Sequence, residues 1–237
     1  MIATTATYEI QRANERGNFN HGWLQTSHSF SFAGYHDPAR TRWGALRVFN
    51  DDVVAPGEGF GAHPHRDMEI LTYVLEGELE HQDSMGNRGV VGAGSVQYLS
   101  AGTGITHSEY NHSPEKPVHF VQMWVLPHGN GLAPRYGQVD LGPADRRGVW
   151  LAIATGRADE TAPIAIWQDA TAYVSHVEGP LPKRRIDAGR KGFLFVGSGE
   201  VTFAGDTLRA GDAVRVSGPL DLAVGGAGEI VLWDVPG

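Results

Sequence analysis

One pattern, written twice, constrains this chain more than any other feature. The run Ile70-Leu71-Thr72-Tyr73-Val74-Leu75-Glu76 ends at Gly77, and Glu78-Leu79-Glu80, a Ser84-Met85-Gly86-Asn87 turn, the corner Gly92-Ala93-Gly94 and Ser95-Val96-Gln97-Tyr98-Leu99 follow. Further along, Phe193-Leu194-Phe195-Val196 ends at Gly197-Ser198-Gly199. It leads into Glu200-Val201-Thr202-Phe203, an Ala204-Gly205-Asp206 turn, Ala210-Gly211-Asp212 and Ala213-Val214-Arg215-Val216. Short runs rich in β-branched and aromatic residues, separated by glycine turns, read as strands rather than helices. The same order of strand, turn and glycine corner in both halves predicts a duplicated small β-barrel, an all-β chain of two lobes.

The Gly/Pro/Asn-rich stretch Pro127-His128-Gly129-Asn130-Gly131 to Pro134-Arg135 suits a linker,. It divides the chain into an N-terminal lobe, residues 1–134, and a C-terminal lobe, residues 135–237. Short helical segments are expected at residues 8–16 and around Trp167 to Tyr173, with no chemistry assigned to them. Thirty-two glycines, roughly twice the average usage of about 7%, supply the punctuation that many short strands require.

Composition removes several function classes. No apolar run approaches the roughly 20 residues needed to span a bilayer, and the N-terminus lacks the charged-then-apolar order of a signal peptide; a cytoplasmic protein without membrane partners is expected. A formal charge of −8, with neither half basic, argues against tracking phosphates along a nucleic acid,. The basic cluster Lys183-Arg184-Arg185, with Arg190-Lys191 nearby, reads as a solvated loop before a strand. There is no Gly-x-Ser-x-Gly elbow, phosphate-binding Walker loop or dinucleotide fingerprint. Without cysteine, a metal site would have to use histidine and carboxylate.

The histidines are distributed for such a site. Ten of the eleven precede residue 134, and two of them form His63-Pro64-His65. On a strand, residues i and i+2 share a face roughly 6.6 Å apart, so their imidazoles can converge on one ion. His107-Ser108-Glu109 repeats the spacing with one nitrogen and one oxygen ligand. Two such pairs, with a glycine-turned β unit between them, predict a three-histidine, one-carboxylate site for a divalent transition metal. His176, the sole histidine of the second lobe, has no equivalent partner and reads as an ordinary histidine.

Other residues have two readings. His21, His28 and His36, amid Trp23, Phe30, Phe32 and Tyr35, either cover a barrel mouth and shape a pocket or pack as an aromatic segment. Phe120, Gln122 and Trp124 share one strand face; if it points inward, Gln122 supports the metal ligands. Asp83 to Asn87 reads as a hairpin turn.

Gly57 followed by His63-x-His65, and Gly104-x-x-His107 with Asn111, resemble the two cupin motifs. The surrounding His63-Pro-His65-Arg66-Asp67-Met68-Glu69, Leu75-Glu76-Gly77, His81-Gln82-Asp83 and Ser100-Ala-Gly-Thr-Gly-Ile-Thr-His107-Ser-Glu109 resemble the pirin family. Arg12-Ala-Asn-Glu-Arg-Gly, His21-Gly-Trp23 and Phe30-Ser-Phe32 narrow the likeness to its bacterial quercetinase-like branch. The likeness is strong over residues 8–136 and general beyond. Glu69 lies near the glutamate ligand position of other cupins, but seven residues rather than six separate it from Gly77, and Gly102 stands where the second motif usually has proline.

The resemblance implies a bicupin with His63, His65, His107 and Glu109 as metal ligands and iron(II) as the usual ion, zinc, nickel, copper and manganese being alternatives. It implies a quercetin 2,3-dioxygenase-type oxidoreductase that cleaves flavonols with dioxygen; as a carboxylate beside the departing proton, Glu109 is the expected base for the substrate's hydroxyl. Because pirins also include regulators, the second expectation is a non-enzymatic metal-binding sensor with a protein partner.

Overall fold

The computed structural model describes residues 7–237, which fall into two compact units. One comprises Gly17–Arg42 and Arg47–Gly142; the other comprises the described residues up to Arg16, Trp43–Leu46 and Pro143–Gly237. A cut at residue 134 assigns two strands differently. Thr7–Gln11 pairs with Ala213–Ser217, whereas Arg135–Val139 pairs with Val96–Ser100. Edge pairing along a whole strand outweighs proximity in sequence, and local composition at the linker carries no information about it.

The first unit is a barrel made from two sheets. Seven strands run in the order Arg135–Val139, Val96–Ser100, Glu69–Glu76, Val118–Val125, Leu46–Val54, Leu24–His28 and Gly17–Asn20. Four more run Gly59–His65, Ile105–Asn111, Glu78–Asp83 and Arg88–Gly92. Gly77, at φ 79°, is the corner between them: the strand before it belongs to the seven-stranded sheet and the strand after it to the four-stranded one. A β-carbon there would be strained by the backbone and pressed against Pro117 and Val118,. Val54, Val74, Leu79, Val91, Val118 and Phe120, all 1% exposed or less, close one part of the interior. Ile70, Leu99, Ala101 and Ile105 close another.

The second unit repeats the plan with a difference. Arg190–Phe203 runs unbroken through the glycines at 197 and 199, with a register shift between Val196 and Ser198, and pairs along its length with Val224–Pro236. A bulge therefore does here what a sheet-changing corner does in the first unit. Fifteen buried apolar residues, including Leu194, Val214 and Leu232, fill the interior.

The helical expectations are corrected. Residues 8–16 are mostly the edge strand Thr7–Gln11 followed by a single 3-10 turn at Ala13–Glu15, and the stretch from Trp167 leads into the strand Thr171–Glu178. Ladder bonds to a neighbouring strand outweigh helix propensity in segments this short. The basic cluster is corrected as well: Arg184–Ile186 is a strand paired with Leu220–Leu222. Its cations meet local carboxylates, Arg184 with Glu160, Arg185 with Asp221 at 3.0 Å, and Arg190 with Asp234 at 2.6 Å. None of the described helical elements is long and apolar enough to cross a membrane.

Candidate metal centre

Three adjacent strands of the four-stranded sheet carry the site. In the ladder between Gly59–His65 and Ile105–Asn111, His63 stands opposite His107. In the next ladder, His107 stands opposite Asp83 and Glu109 opposite His81. Period-2 alternation then turns His63, His65, His107, Glu109, His81 and Asp83 to one face. Pro64 is tolerated within this set because Gly59–His65 is the edge strand, where a missing N–H breaks no ladder.

The imidazoles of His63, His65 and His107 have centroids 4.5 to 4.9 Å apart. His107 Nε2 lies 3.1 Å from His63 Nε2. Two nitrogens each about 2.1 Å from one ion, at right angles, would stand about 3.0 Å apart, so the pair fits a shared cation. The protonation states fit as well. Burial, then the neighbouring His107 and His63, pushes His65 down to about 3; burial, then His63 and His81, pushes His107 to about 3. Both rings are thus neutral and offer a lone pair at neutral pH. With the His63 Nδ1–H donated to the Gly61 carbonyl at 2.8 Å, Nε2 is left to ligate.

Glu109 lies 1% exposed at the bottom of this group. Gln97 Nε2 donates to one of its oxygens, and Gln122 Nε2 donates to the other at 2.7 Å. Burial raises its carboxyl above the ordinary range, against the opposing pull of His81 and the Gln122 amide. The Phe120/Gln122/Trp124 face does point inward, and Trp124 Nε1 donates to Gln122 Oε1 at 3.0 Å. The Trp124 ring also packs on His65, 4.9 Å between centroids.

Among the described residues, possible ligand atoms fall into two overlapping groups within 4.8 Å, His63/His65/His107 and His81/His107/Glu109. His107 joins them. The ligand set read from the sequence omits His81, which is fully buried, 3.3 Å from Asp83 and stacked on Tyr136 at 4.3 Å. A signal for it existed, since His81-x-Asp83 repeats the His-x-Glu spacing. Only the strand pairing reveals that it faces Glu109.

Glu69 lies outside both groups. Tyr98 and Ser100 donate hydroxyls to its two oxygens at 2.7 and 2.6 Å. Asn111 acts as a pin, its amide donating to the carbonyls of Val54, Ala55 and Lys116. His176 is bonded to Glu229 at 3.0 Å, and Asp83 closes the hairpin turn by accepting from Met85 and Asn87.

Above the cluster opens a cavity of about 300 Å³. Leu24, Phe32, Phe60 and Trp124 form its apolar walls, and His63, His65, Glu109 and Gln122 one polar side. His21 and His28 line it, so this stretch does shape the pocket; His36 is not among the lining residues.

Two β-barrels in one chain, one of them enclosing a histidine and carboxylate cluster able to hold a metal, define a bicupin. The family model for pirin matches residues 9–125, and the model for the quercetinase C-terminal cupin domain matches residues 157–235. A quercetin 2,3-dioxygenase of Escherichia coli (strain K12) is 42% identical over 230 residues, covering 96% of this chain and 98% of that protein. The chain belongs to the pirin family. The crystal structure of YhhW from Escherichia coli is similar with a TM-score of 0.90 at 40% identity, covering 97% of this chain and 98% of that one. The nickel(II) complex of the same bacterial pirin matches with a TM-score of 0.88, again at 40% identity and over 97% and 99% of the two chains.

Proposed function

We propose that this chain is a quercetin 2,3-dioxygenase, an oxidoreductase that opens flavonols with dioxygen, and that His63, His65, His107 and Glu109 hold its divalent ion. The observation that carries this reading is the continuity of the cluster with an aromatic-walled cavity, since His63, His65 and Glu109 belong to both. A closed cluster would suit sensing; an open one admits a substrate. The relative named quercetin 2,3-dioxygenase supports the same class of chemistry.

A bound divalent ion, iron(II) in our reading, supplies Lewis acidity and open positions for chelating oxygens or dioxygen. The remaining work falls to the chain. Phe32, Phe60 and Trp124 take up a flat polycyclic ring and exclude water,. Glu109 receives the proton of the flavonol 3-hydroxyl, and its raised carboxyl pKa favours holding that proton through the reaction,. Gln97 and Gln122 fix the carboxylate so that it meets the hydroxyl without reorienting,. His81, oriented by Asp83, positions the strand face from which His107 and Glu109 project.

The deciding measurement is quercetin-dependent oxygen uptake by protein loaded separately with iron(II), nickel(II), copper(II), manganese(II) or zinc(II). Uptake with at least one ion, lost in His63→Ala together with bound metal, is expected. No uptake with the metal demonstrably bound would overturn the assignment.

A further inference from the structure

The cavity has a second polar side that the chemistry above does not use. Leu24–His28 and Leu46–Val54 are paired so that Thr26 faces Asp52 and His28 faces Asn50. Alternation puts these four residues on one face, and all four line the cavity,. Asn50 and Asp52 are each 4% exposed. Thr26 hydrogen-bonds the Asp52 carboxyl, yet Asp52 Oδ1 and Asn50 Oδ1 find no donor among the described residues.

Two buried acceptors left without donors are a substantial liability in a folded protein, because each forfeits its hydration without replacement. They belong to side chains that line a cavity walled by the aromatic rings of Phe32, Phe60 and Trp124, and the oxygens themselves lie just beneath its surface. Of the other polar groups lining the cavity, Glu109 brings a carboxylate, the Gln122 amide donates to Glu109, and none of His21, His28, His63 and His65 is hydrogen-bonded to either oxygen. A ligand that suits this side must therefore bring its own donors on a flat aromatic body.

We propose that Asn50 and Asp52 form a recognition subsite for a phenolic hydroxyl, accepting its hydrogen bond while the reacting end of the substrate lies at Glu109. This rests on the flavonol reading and adds to it. The pendant ring of the flavonol lies toward Asn50 and Asp52, so hydroxylation of that ring, remote from the bond that is cleaved, governs affinity. Discrimination of this kind is steep, because a substrate lacking the hydroxyl leaves the buried acceptors unsatisfied.

The test measures anaerobic binding to the metal-loaded protein of flavonols that differ only in carrying no hydroxyl, one hydroxyl or one methoxyl on the pendant ring. In the unaltered protein one hydroxyl should tighten Kd by roughly tenfold, as expected for a hydrogen bond to a charged or buried acceptor, and methylation should remove the gain. In Asp52→Leu and in Asn50→Leu the gain should shrink to about threefold or less, with the unhydroxylated flavonol bound as before. An equal gain in the variants, or a methoxyl ligand bound as tightly as the phenol by the unaltered protein, would overturn the subsite. The methoxyl comparison needs no variant and stands even if the leucine substitutions unfold the chain. Oxygen uptake separates the two claims: uptake with no effect of the hydroxyl refutes the subsite alone, and the hydroxyl effect without uptake refutes the dioxygenase reading alone.

Discussion

At the scale of single residues, the site depends on carboxyls whose protons are held differently from those in water. Glu109→Gln preserves shape but removes the base, and it keeps one acceptor for the two amide donors of Gln97 and Gln122,. Oxygen uptake should fall by at least about 100-fold, while metal content by elemental analysis stays above half of the unaltered value. Unchanged uptake would sink the proton-accepting role. Asp52 gives a prediction about stability. Burial, the largest influence, pushes its carboxyl up to about 7 from 3.8. Between those values the folded chain keeps a proton that the unfolded chain has lost, so this group's contribution to stability declines as pH rises, and the full penalty stands above about 7. Asp52→Asn in the metal-free protein should therefore be favoured by roughly 2–3 kcal/mol more at pH 8 than at pH 5. Denaturant unfolding at the two pH values checks this, and parallel curves for the two proteins would refute it.

Strands decide which of these residues meet. The edge strand Gly59–His65 presses so closely on Ile105–Asn111 that a β-carbon at Gly59 would overlap the Glu109 carbonyl and crowd Tyr110. The register also shifts between His107 and Glu109. The extra residue lies on the edge strand between Phe60 and His63, while His107 and Glu109 stay in regular register with Asp83 and His81, so the bulge re-aims the edge strand ahead of His63, as bulges beside functional sites do. Gly59→Ala should then force the two strands apart, costing about 1–3 kcal/mol. It should also weaken metal binding, since His63 and His107 ride on opposite sides of the same ladder. Thermal unfolding and metal titration measure the two effects; normal affinity with normal stability would show that the close approach is unimportant. His-x-His and His-x-Glu declare their faces by spacing, but nothing in the spacing pairs His63 with His107 or brings His81 against Glu109.

For the whole molecule, metal binding and folding are linked. The candidate ligands come from residues 63, 65, 107 and 109, strands that adjoin only in the folded barrel, so an ion bound there stabilises the folded state by an amount that grows with the logarithm of its free concentration over Kd. At an ion concentration 100 times Kd the gain is about 2.7 kcal/mol. Tm should rise on adding the competent ion and return on chelation, and His63→Ala should lose the response. A variant that keeps the full response would place the ion elsewhere. Among the described residues, the second unit contributes none to either candidate ligand group.

The amino-acid order by itself determined the all-β class, the duplication, the shared strand face of Phe120, Gln122 and Trp124, and the spacing of the candidate ligands His63, His65, His107 and Glu109, because strand periodicity and glycine turns are local properties. Only the tertiary structure decided that Thr7–Gln11 and Arg135–Val139 pair outside their expected lobes, that Glu69 is bound by Tyr98 and Ser100, and that His81 backs the site. It alone showed Asn50 and Asp52 lining the cavity. Those outcomes depend on which strands become neighbours and in what register, a choice made by burial and ladder bonding over the whole barrel rather than by the residues adjoining each strand in sequence.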